Sequence, residues 1–291
     1  MKKILISGAN GQLGSEFSKL DSDVFKVYSF DKKELNITNI NNLEIIINKI
    51  NPDYFINTAA YTNVDQSEKD INTVYTINHI APSNISKVLF KNNIKFIHFS
   101  TDYVYDGKKN SLYNEYDFCN PLSVYGKSKL KGDIEVLKNN NKSMIFRVSS
   151  LYSDTGINFV NKIIELNKIK SVLEVIDDQF SIPTSAEDLS LLIKQIIMND
   201  IYSNKFGIYN YCDDGDVVSR FHLAKYINEI LTKNNIKVSN LKKISSDKFK
   251  TSAIRPVYSG LDKSKFKSTF NLNGNSWKIN IEKLILNKIN C

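Results

Sequence analysis

Tyr125 and Lys129 stand four residues apart in the run Tyr125-Gly-Lys-Ser-Lys-Leu130, far downstream of a glycine-rich turn, Gly8-Ala-Asn-Gly-Gln-Leu-Gly14. At that spacing on a helix the two side chains share a face. A free phenol titrates near ~10, too high for efficient proton transfer at neutrality. A neighbouring ammonium favours the phenolate and lowers that value. The pair therefore suits passing a proton to or from a carbonyl oxygen, with the lysine also able to reach ribose hydroxyls of a nicotinamide cofactor. The same spacing recurs by chance on exposed helices of a lysine-rich chain. Here its position behind a nucleotide turn favours chemistry. A third hydroxyl is expected from Ser100-Thr-Asp-Tyr103, where the Thr101 hydroxyl would meet the carbonyl and Asp102 a sugar hydroxyl; the plain alternative is a turn cap.

The glycine turn follows the apolar run Ile4-Leu-Ile6 and opens a helix. A tight turn, close backbone approach to a pyrophosphate and close helix packing all call for glycine there, with the phosphate on the helix N-terminus. Asp31 lies 17 residues past Gly14 at the end of a second strand, suited to ribose hydroxyls. A carboxylate there repels a 2′-phosphate and favours NADH, while Lys32 and Lys33 keep NADPH open.

These residues need a frame. Short apolar runs at 4–6, 25–30, 53–57, 95–99 and 144–148 alternate with helical periodicity near 12–20, 41–50 and over a long stretch 67–91. That alternation predicts an α/β fold, a Rossmann-like doubly wound parallel sheet. Residues 1–150 form the dinucleotide-binding half, with contributions from later segments, and 151–291 a smaller substrate-binding lobe. In the latter we expect a strand at 172–176, helices near 186–198 and 219–233, and Trp277 packing a C-terminal helix.

The chain has 291 residues, 42% of them hydrophobic, enough for a full core. The N-terminal apolar run is too short for a signal peptide, and no stretch approaches the roughly 20 apolar residues of a membrane span. Cys119, Cys212 and Cys291 are odd in number and widely spaced, which argues against disulfides and zinc. We expect a cytoplasmic protein without a membrane partner. The net charge of +8 comes from dispersed lysines, with three arginines (Arg147, Arg220, Arg255), so a nucleic-acid partner is not expected.

The motifs together resemble the extended short-chain dehydrogenases and, among them, the dTDP-4-dehydrorhamnose reductases. The likeness runs nearly end to end. It includes Leu35-Asn-Ile-Thr38, Pro52-Asp-Tyr-Phe-Ile-Asn-Thr-Ala-Ala-Tyr-Thr62, Ser100-Thr-Asp-Tyr-Val-Tyr-Asp-Gly107, the Tyr125 run, Asp178-Gln179, Pro183-Thr184 and Arg255-Pro-Val-Tyr-Ser259. The resemblance implies that Gly8, Gly11, Gln12, Leu13 and Gly14 hold the pyrophosphate turn of NADPH or NADH, and Asp31 its adenosine ribose. Ala60, Tyr61 and Thr62 would line the nicotinamide side, with Tyr125 and Lys129. Thr101, Tyr125 and Lys129 would be catalytic, and Thr101, Asp102, Ser150 and Arg255 would meet a dTDP-linked 4-keto-6-deoxy sugar. The implied reaction is reduction of the C4 ketone of dTDP-4-dehydro-L-rhamnose, a step toward cell-surface polysaccharide. Some members bind Mg²⁺ through glutamates at a homodimer interface. Glu16 and Glu187 hold plausible positions for this, although surface carboxylates are more often just solvated.

Two departures bear on the sugar. Arg147-Val-Ser-Ser150-Leu-Tyr152 puts Ser150 where the family carries a tryptophan, and Gln179-Phe-Ser181-Ile-Pro-Thr184 puts Ser181 where it carries a loop glycine. Losing an indole removes apolar contact area beside the sugar. An epimerase or 4,6-dehydratase of the same fold competes as a reading, but a dehydratase calls for a glutamate after Asp102, where this chain has Tyr103. A non-catalytic regulatory subunit is the other competitor, and the intact Thr101, Tyr125 and Lys129 set weighs against it.

Overall fold

The computed structural model describes residues 1–199 and 204–290. Five strands of the first half are β1 (Lys2–Ser7), β2 (Phe25–Phe30), β3 (Tyr54–Asn57), β4 (Lys95–Thr101) and β5 (Ser143–Val148). In the second half come β6 (Leu151–Tyr152), β7 (Val172–Ile176), β8 (Phe180–Ser181), β9 (Thr184–Ser185), β10 (Gly207–Tyr211), β11 (Val218–Ser219) and β12 (Asn240–Ile244). The central sheet runs β10-β5-β4-β3-β1-β2, parallel throughout. Its direction of winding reverses between β1 and β3, which opens a crevice at their carboxyl ends.

Both sheet faces are covered, so strand residues are buried on both sides rather than alternately wet and dry. Ile4 and Ile6 join the core under α1 (Gln12–Ser18) and the helix Ala186–Met198. Leu5 faces the opposite core, under α2 (Ile40–Ile50) and the helix Ala81–Lys91. A third core holds the lobe together around Val160, Ile163, Leu223, Ile227 and Ile281. The expected helices at 186–198 and 219–233 are present as Ala186–Met198 and Arg220–Lys233. β10 belongs to the main sheet, and the helices Ala186–Met198 and Ser264–Phe270 contribute to its core, so the chain crosses between the two halves more than once. Trp277 packs at the start of the last helix, its indole N–H donating to the Asp216 carbonyl at 3.2 Å. Cys291 lies outside the described residues.

The long helix expected over 67–91 is broken. A short helix at Val64–Ser67 is followed by Ile71–Tyr75, a wide π turn at Thr76–Ile80, and Ala81–Lys91. Asn78 sits inside the π turn and explains why the widening is tolerated. Its amide bridges to Tyr61, accepting from the Tyr61 N–H at 2.8 Å and donating to the Tyr61 carbonyl at 3.0 Å.

Candidate active site

The glycine turn is built on contact. A Cβ on Gly14 would stand 2.1 Å from the Gly8 carbonyl oxygen, so only glycine lets α1 start this close to β1. Beside it a cleft of about 870 Å³ runs over the carboxyl ends of β1 and β3, with Gly8, Gly11, Asp31, Ala60, Tyr61 and Thr62 on its walls. Asp31 accepts from the Lys33 and Glu34 backbone N–H groups at 2.8 and 3.0 Å, and the Asn10 amide donates to it at 3.2 Å. These bonds, the backbone ones foremost, hold its carboxyl below the usual range. Lys32 and Lys33 stand on the same wall. Gln12 turns the other way, accepting from Asn158 Nδ2 at 2.9 Å and Ser153 Oγ at 3.2 Å, and so ties the turn to the lobe. Leu13 is buried in the core beneath.

Next to β3 along the same sheet edge, β4 ends in Thr101, whose Oγ1 caps a single 3₁₀ turn at Asp102–Val104 by accepting from Tyr103 N at 3.2 Å. The same hydroxyl donates to Asp102 Oδ1 at 3.0 Å. Tyr125 lies in the first turn of the helix Val124–Asn139, which Ser123 caps through the Gly126 N–H at 3.1 Å. A Cβ on Gly126 would come 2.3 Å from the Tyr103 carbonyl oxygen, so the glycine brings this helix against the 3₁₀ turn. The Tyr103 and Tyr125 rings meet edge to face at 6.0 Å. Thr101 and Tyr125 are thus brought together, and the Thr101 hydroxyl partly offsets the burial that raises the Tyr125 phenol.

Lys129 departs from expectation. Its ammonium was expected to lower Tyr125; instead Nζ is drawn inward to the Phe99 carbonyl and stands 3.5 Å from His98 Nε2. Burial lowers its own pKa to about 8, against the pull of Asp133. In this position the Tyr125 phenol is raised, with desolvation as the main cause.

Asp102 is 3% exposed, and its Oδ2 has no hydrogen-bond partner. Burial raises its pKa to about 6, opposed first by the nearby Ser259 and Thr101 hydroxyls and then by the charge of Arg220. Gln179 Oε1 is another buried acceptor without a partner. Arg255 forms a two-pronged pair with Asp65, at 2.6 Å (Nη2–Oδ2) and 3.1 Å (Nη1–Oδ1). Arg220 was not singled out from the sequence. Its backbone N–H donates to the Gln179 carbonyl at 3.3 Å, its guanidinium lies 5.9 Å from the Phe159 ring centre, and its charge reaches Asp102 and Tyr103.

The two departures prove to be one contact. Ser150 and Ser181 place their hydroxyls 2.6 Å apart at the exposed rim, and Ser150 has a left-handed backbone with φ of 43°. Glu16 pairs with Lys19 at 2.8 Å and Glu187 with Lys283 at 2.7 Å. Among the described residues no three acidic, His or Cys side chains gather in a way that could hold a metal, and no helix is long and apolar enough to cross a membrane.

The family model described as the RmlD substrate binding domain matches residues 1–289. A dTDP-4-dehydrorhamnose reductase from Aggregatibacter actinomycetemcomitans is 35% identical over 283 residues, 96% of each chain. The spore coat polysaccharide biosynthesis protein SpsK of Bacillus subtilis is 32% identical, covering 90% of this chain and 89% of its own. The crystal structure of a dTDP-4-dehydrorhamnose reductase from Bacillus anthracis in complex with NADP superposes with a TM-score of 0.92 at 34% identity, over 99% of this chain and all of that one.

Proposed function

The chain belongs to the RmlD family, and from that premise we propose that it reduces the C4 ketone of dTDP-4-dehydro-L-rhamnose to dTDP-L-rhamnose with NADPH or NADH. The observation that carries this reading is the convergence of Thr101 and Tyr125 at the carboxyl end of β4, two strands along the same sheet edge from the glycine turn and beyond the cleft that holds Asp31. The cleft suits a dinucleotide: Gly8 and Gly11 line it with bare backbone where a pyrophosphate would lie, Gly14 lets α1 start close against that turn, and Asp31 offers a fixed carboxylate for ribose. A reduced nicotinamide, when bound, supplies the hydride that the substrate carbon accepts.

The chain's own residues do the rest. Thr101 Oγ1 and the Tyr125 hydroxyl hold the carbonyl oxygen, and Tyr125 gives it the proton as the carbon is reduced. Lys129 would hold the cofactor ribose and favour the phenolate that Tyr125 becomes. Asp102 Oδ2 and Gln179 Oε1, buried and without partners, are acceptors suited to sugar hydroxyls. Arg220 and Arg255 flank Tyr103 and suit the substrate diphosphate. The Ser150–Ser181 pair makes the rim polar and favours a second reading in which the sugar is a related 4-keto-6-deoxy hexose.

The test is loss of reduced-nicotinamide absorbance with dTDP-4-dehydro-L-rhamnose generated in situ, each cofactor offered separately. Consumption with formation of dTDP-L-rhamnose is expected. No consumption by folded protein that binds either cofactor would sink the reading. Residues 1–150 with β10 and the helices packed on its sheet are taken as the cofactor half, and the remainder as the substrate lobe. A cytoplasmic homodimer acting on nucleotide sugar, with no nucleic-acid or membrane partner, completes the proposal, and its oligomer is checked by light scattering.

A further inference from the structure

Four polar side chains run in single file beneath the carboxyl edge of the sheet, each from a different element. Ser7 Oγ of β1 donates to Asn57 Oδ1 of β3 at 2.8 Å, Asn57 Nδ2 lies 3.2 Å from His98 Nδ1 of β4, and His98 Nε2 lies 3.5 Å from Lys129 Nζ. Their exposures are 0%, 1%, 0% and 2%. Buried this deeply, the protons of the chain are assigned by its partners. The Ala59 N–H also donates to Asn57 Oδ1, at 3.2 Å. An oxygen taking two donors fixes the amide, so Asn57 turns its NH₂ toward His98.

His98 Nδ1 must then be an acceptor. Burial, reinforced by the charge of Lys129, holds the imidazole well below its ordinary pKa and therefore neutral. A neutral ring with a bare Nδ1 carries its proton on Nε2. That N–H points at Lys129 Nζ, whose other bond runs to the Phe99 carbonyl. An ammonium there faces a second donor, whereas a neutral amine offers a lone pair. The group favouring the ammonium is Asp133, one turn along the same helix. Its Oδ2 is shared with Ser100 Oγ of β4 at 2.8 Å and Arg147 Nε of β5 at 3.2 Å.

We propose that His98 is a positioning residue for the reduction, its Nε2–H tautomer fixed by Asn57 and Ser7 so that it sets the orientation of Lys129 and weakens its hold on a proton. The proposal rests on the reductase reading for its catalytic consequence. Ser7 directly precedes Gly8, so the chain also joins the glycine turn to the lysine expected to hold the cofactor ribose. Lys129 needs its charge to steady ribose and phenolate, and it loses that charge as pH rises. His98 therefore sets where the alkaline limb of activity falls.

The tautomer can be read without turnover. The sequence has three histidines, His79, His98 and His222, so ¹⁵N-histidine labelling gives an assignable spectrum. His98 should keep its proton on Nε2 and not titrate across the neutral range; a titrating ring, or a proton on Nδ1, overturns the proposal. In kinetics, His98→Gln brings an amide to the Nε2 position and can turn its carbonyl to Nζ. Asn57→Leu releases the ring to present a bare Nε2. Both should move the alkaline limb of kcat upward by about one pH unit with the nucleotide-sugar KM unchanged. An unmoved limb in both folded variants overturns the proposal. Should the wild type reduce no sugar, the reductase reading fails while the NMR still decides the state of His98.

Discussion

The proposed nucleotide site is made largely of backbone, whereas the proposed sugar site is made of side chains gathered from distant segments. At the first, Gly14 fits against the Gly8 carbonyl and Asp31 is fixed by N–H groups two and three residues on. At the second, Arg220 and Arg255 reach the turn of Asp102 and Tyr103 from more than 100 residues away, Gln179 accepts from the Arg220 backbone, and Ser150 meets Ser181. A backbone-built site tolerates few substitutions and suits a ligand that does not change. A side-chain-built site can be retuned one residue at a time, and both departures from the family pattern fall there.

Tyr125 is the proposed proton donor between the two, and removing its hydroxyl should give the largest effect. Tyr125→Phe is expected to cut kcat by ~10³-fold, within the range for loss of a positioned proton donor. NADPH affinity, measured by fluorescence titration, should change little. Near-normal turnover would break the assignment. Gly14→Val tests the backbone-built end. Its Cβ would sit 2.1 Å from the Gly8 oxygen, with no flexible side chain there to yield. Overpacking of this kind costs about 1–3 kcal/mol, and NADPH binding should fall by ~10²-fold. Binding at the wild-type level would mean that the turn does not carry the pyrophosphate.

Asp102 tests the sugar end through pH. Its folded pKa is raised from 3.8 to about 6 by burial. The protonated carboxyl is therefore the one the fold prefers, and the penalty for ionising it grows as pH rises from 3.8 to about 6 and stays above that. Asp102→Asn removes the penalty, and should stabilise the protein by ~2 kcal/mol at neutral pH and hardly at all near pH ~4. Turnover should fall as the acceptor is lost. Equal stabilisation at both pH values, from thermal melts, would show that ionisation is not the cause. Arg220→Gln should raise the nucleotide-sugar KM about 10-fold through loss of a charge-assisted bond, with kcat and NADPH affinity retained. An unchanged KM would remove Arg220 from the diphosphate site.

The difference between the two ends also explains what could be read from the sequence. The turn, Asp31, Thr101, Tyr125 and Lys129 announce themselves because the chemistry proposed for them depends on local spacing along one strand or helix. Arg220 and Gln179 gain meaning only when β8 and β11 pair and carry them to the 3₁₀ turn after β4. The inward bend of Lys129 and the neutral His98 are likewise properties of burial between elements, invisible to periodicity. The broken helix at 64–91 shows another limit. Helical spacing of apolar residues continues through Thr76–Ile80, and only the tertiary bonds of Asn78 to Tyr61 reveal why the turn widens there. The lobe boundary was harder still, since β10 returns to a sheet that began more than 200 residues earlier.

The smallest effect is expected at the rim, where retuning is easiest. Ser150 holds φ at 43°, a conformation that costs a residue with a Cβ roughly 1 kcal/mol and costs glycine little. It also spends its hydroxyl on Ser181, 2.6 Å away, at an exposed position where such a bond is worth little more than its competition with water. Ser150→Gly should therefore leave the fold as stable or stabilise it by less than ~1 kcal/mol, the relief of backbone strain offsetting the lost bond and glycine's greater freedom when unfolded. If the hydroxyl pair also meets the sugar, the same variant should raise the sugar KM two- to threefold while sparing NADPH. A stable variant with unchanged KM would assign the pair to the loop alone, and shift the discrimination between sugars inward to Asp102 and Gln179.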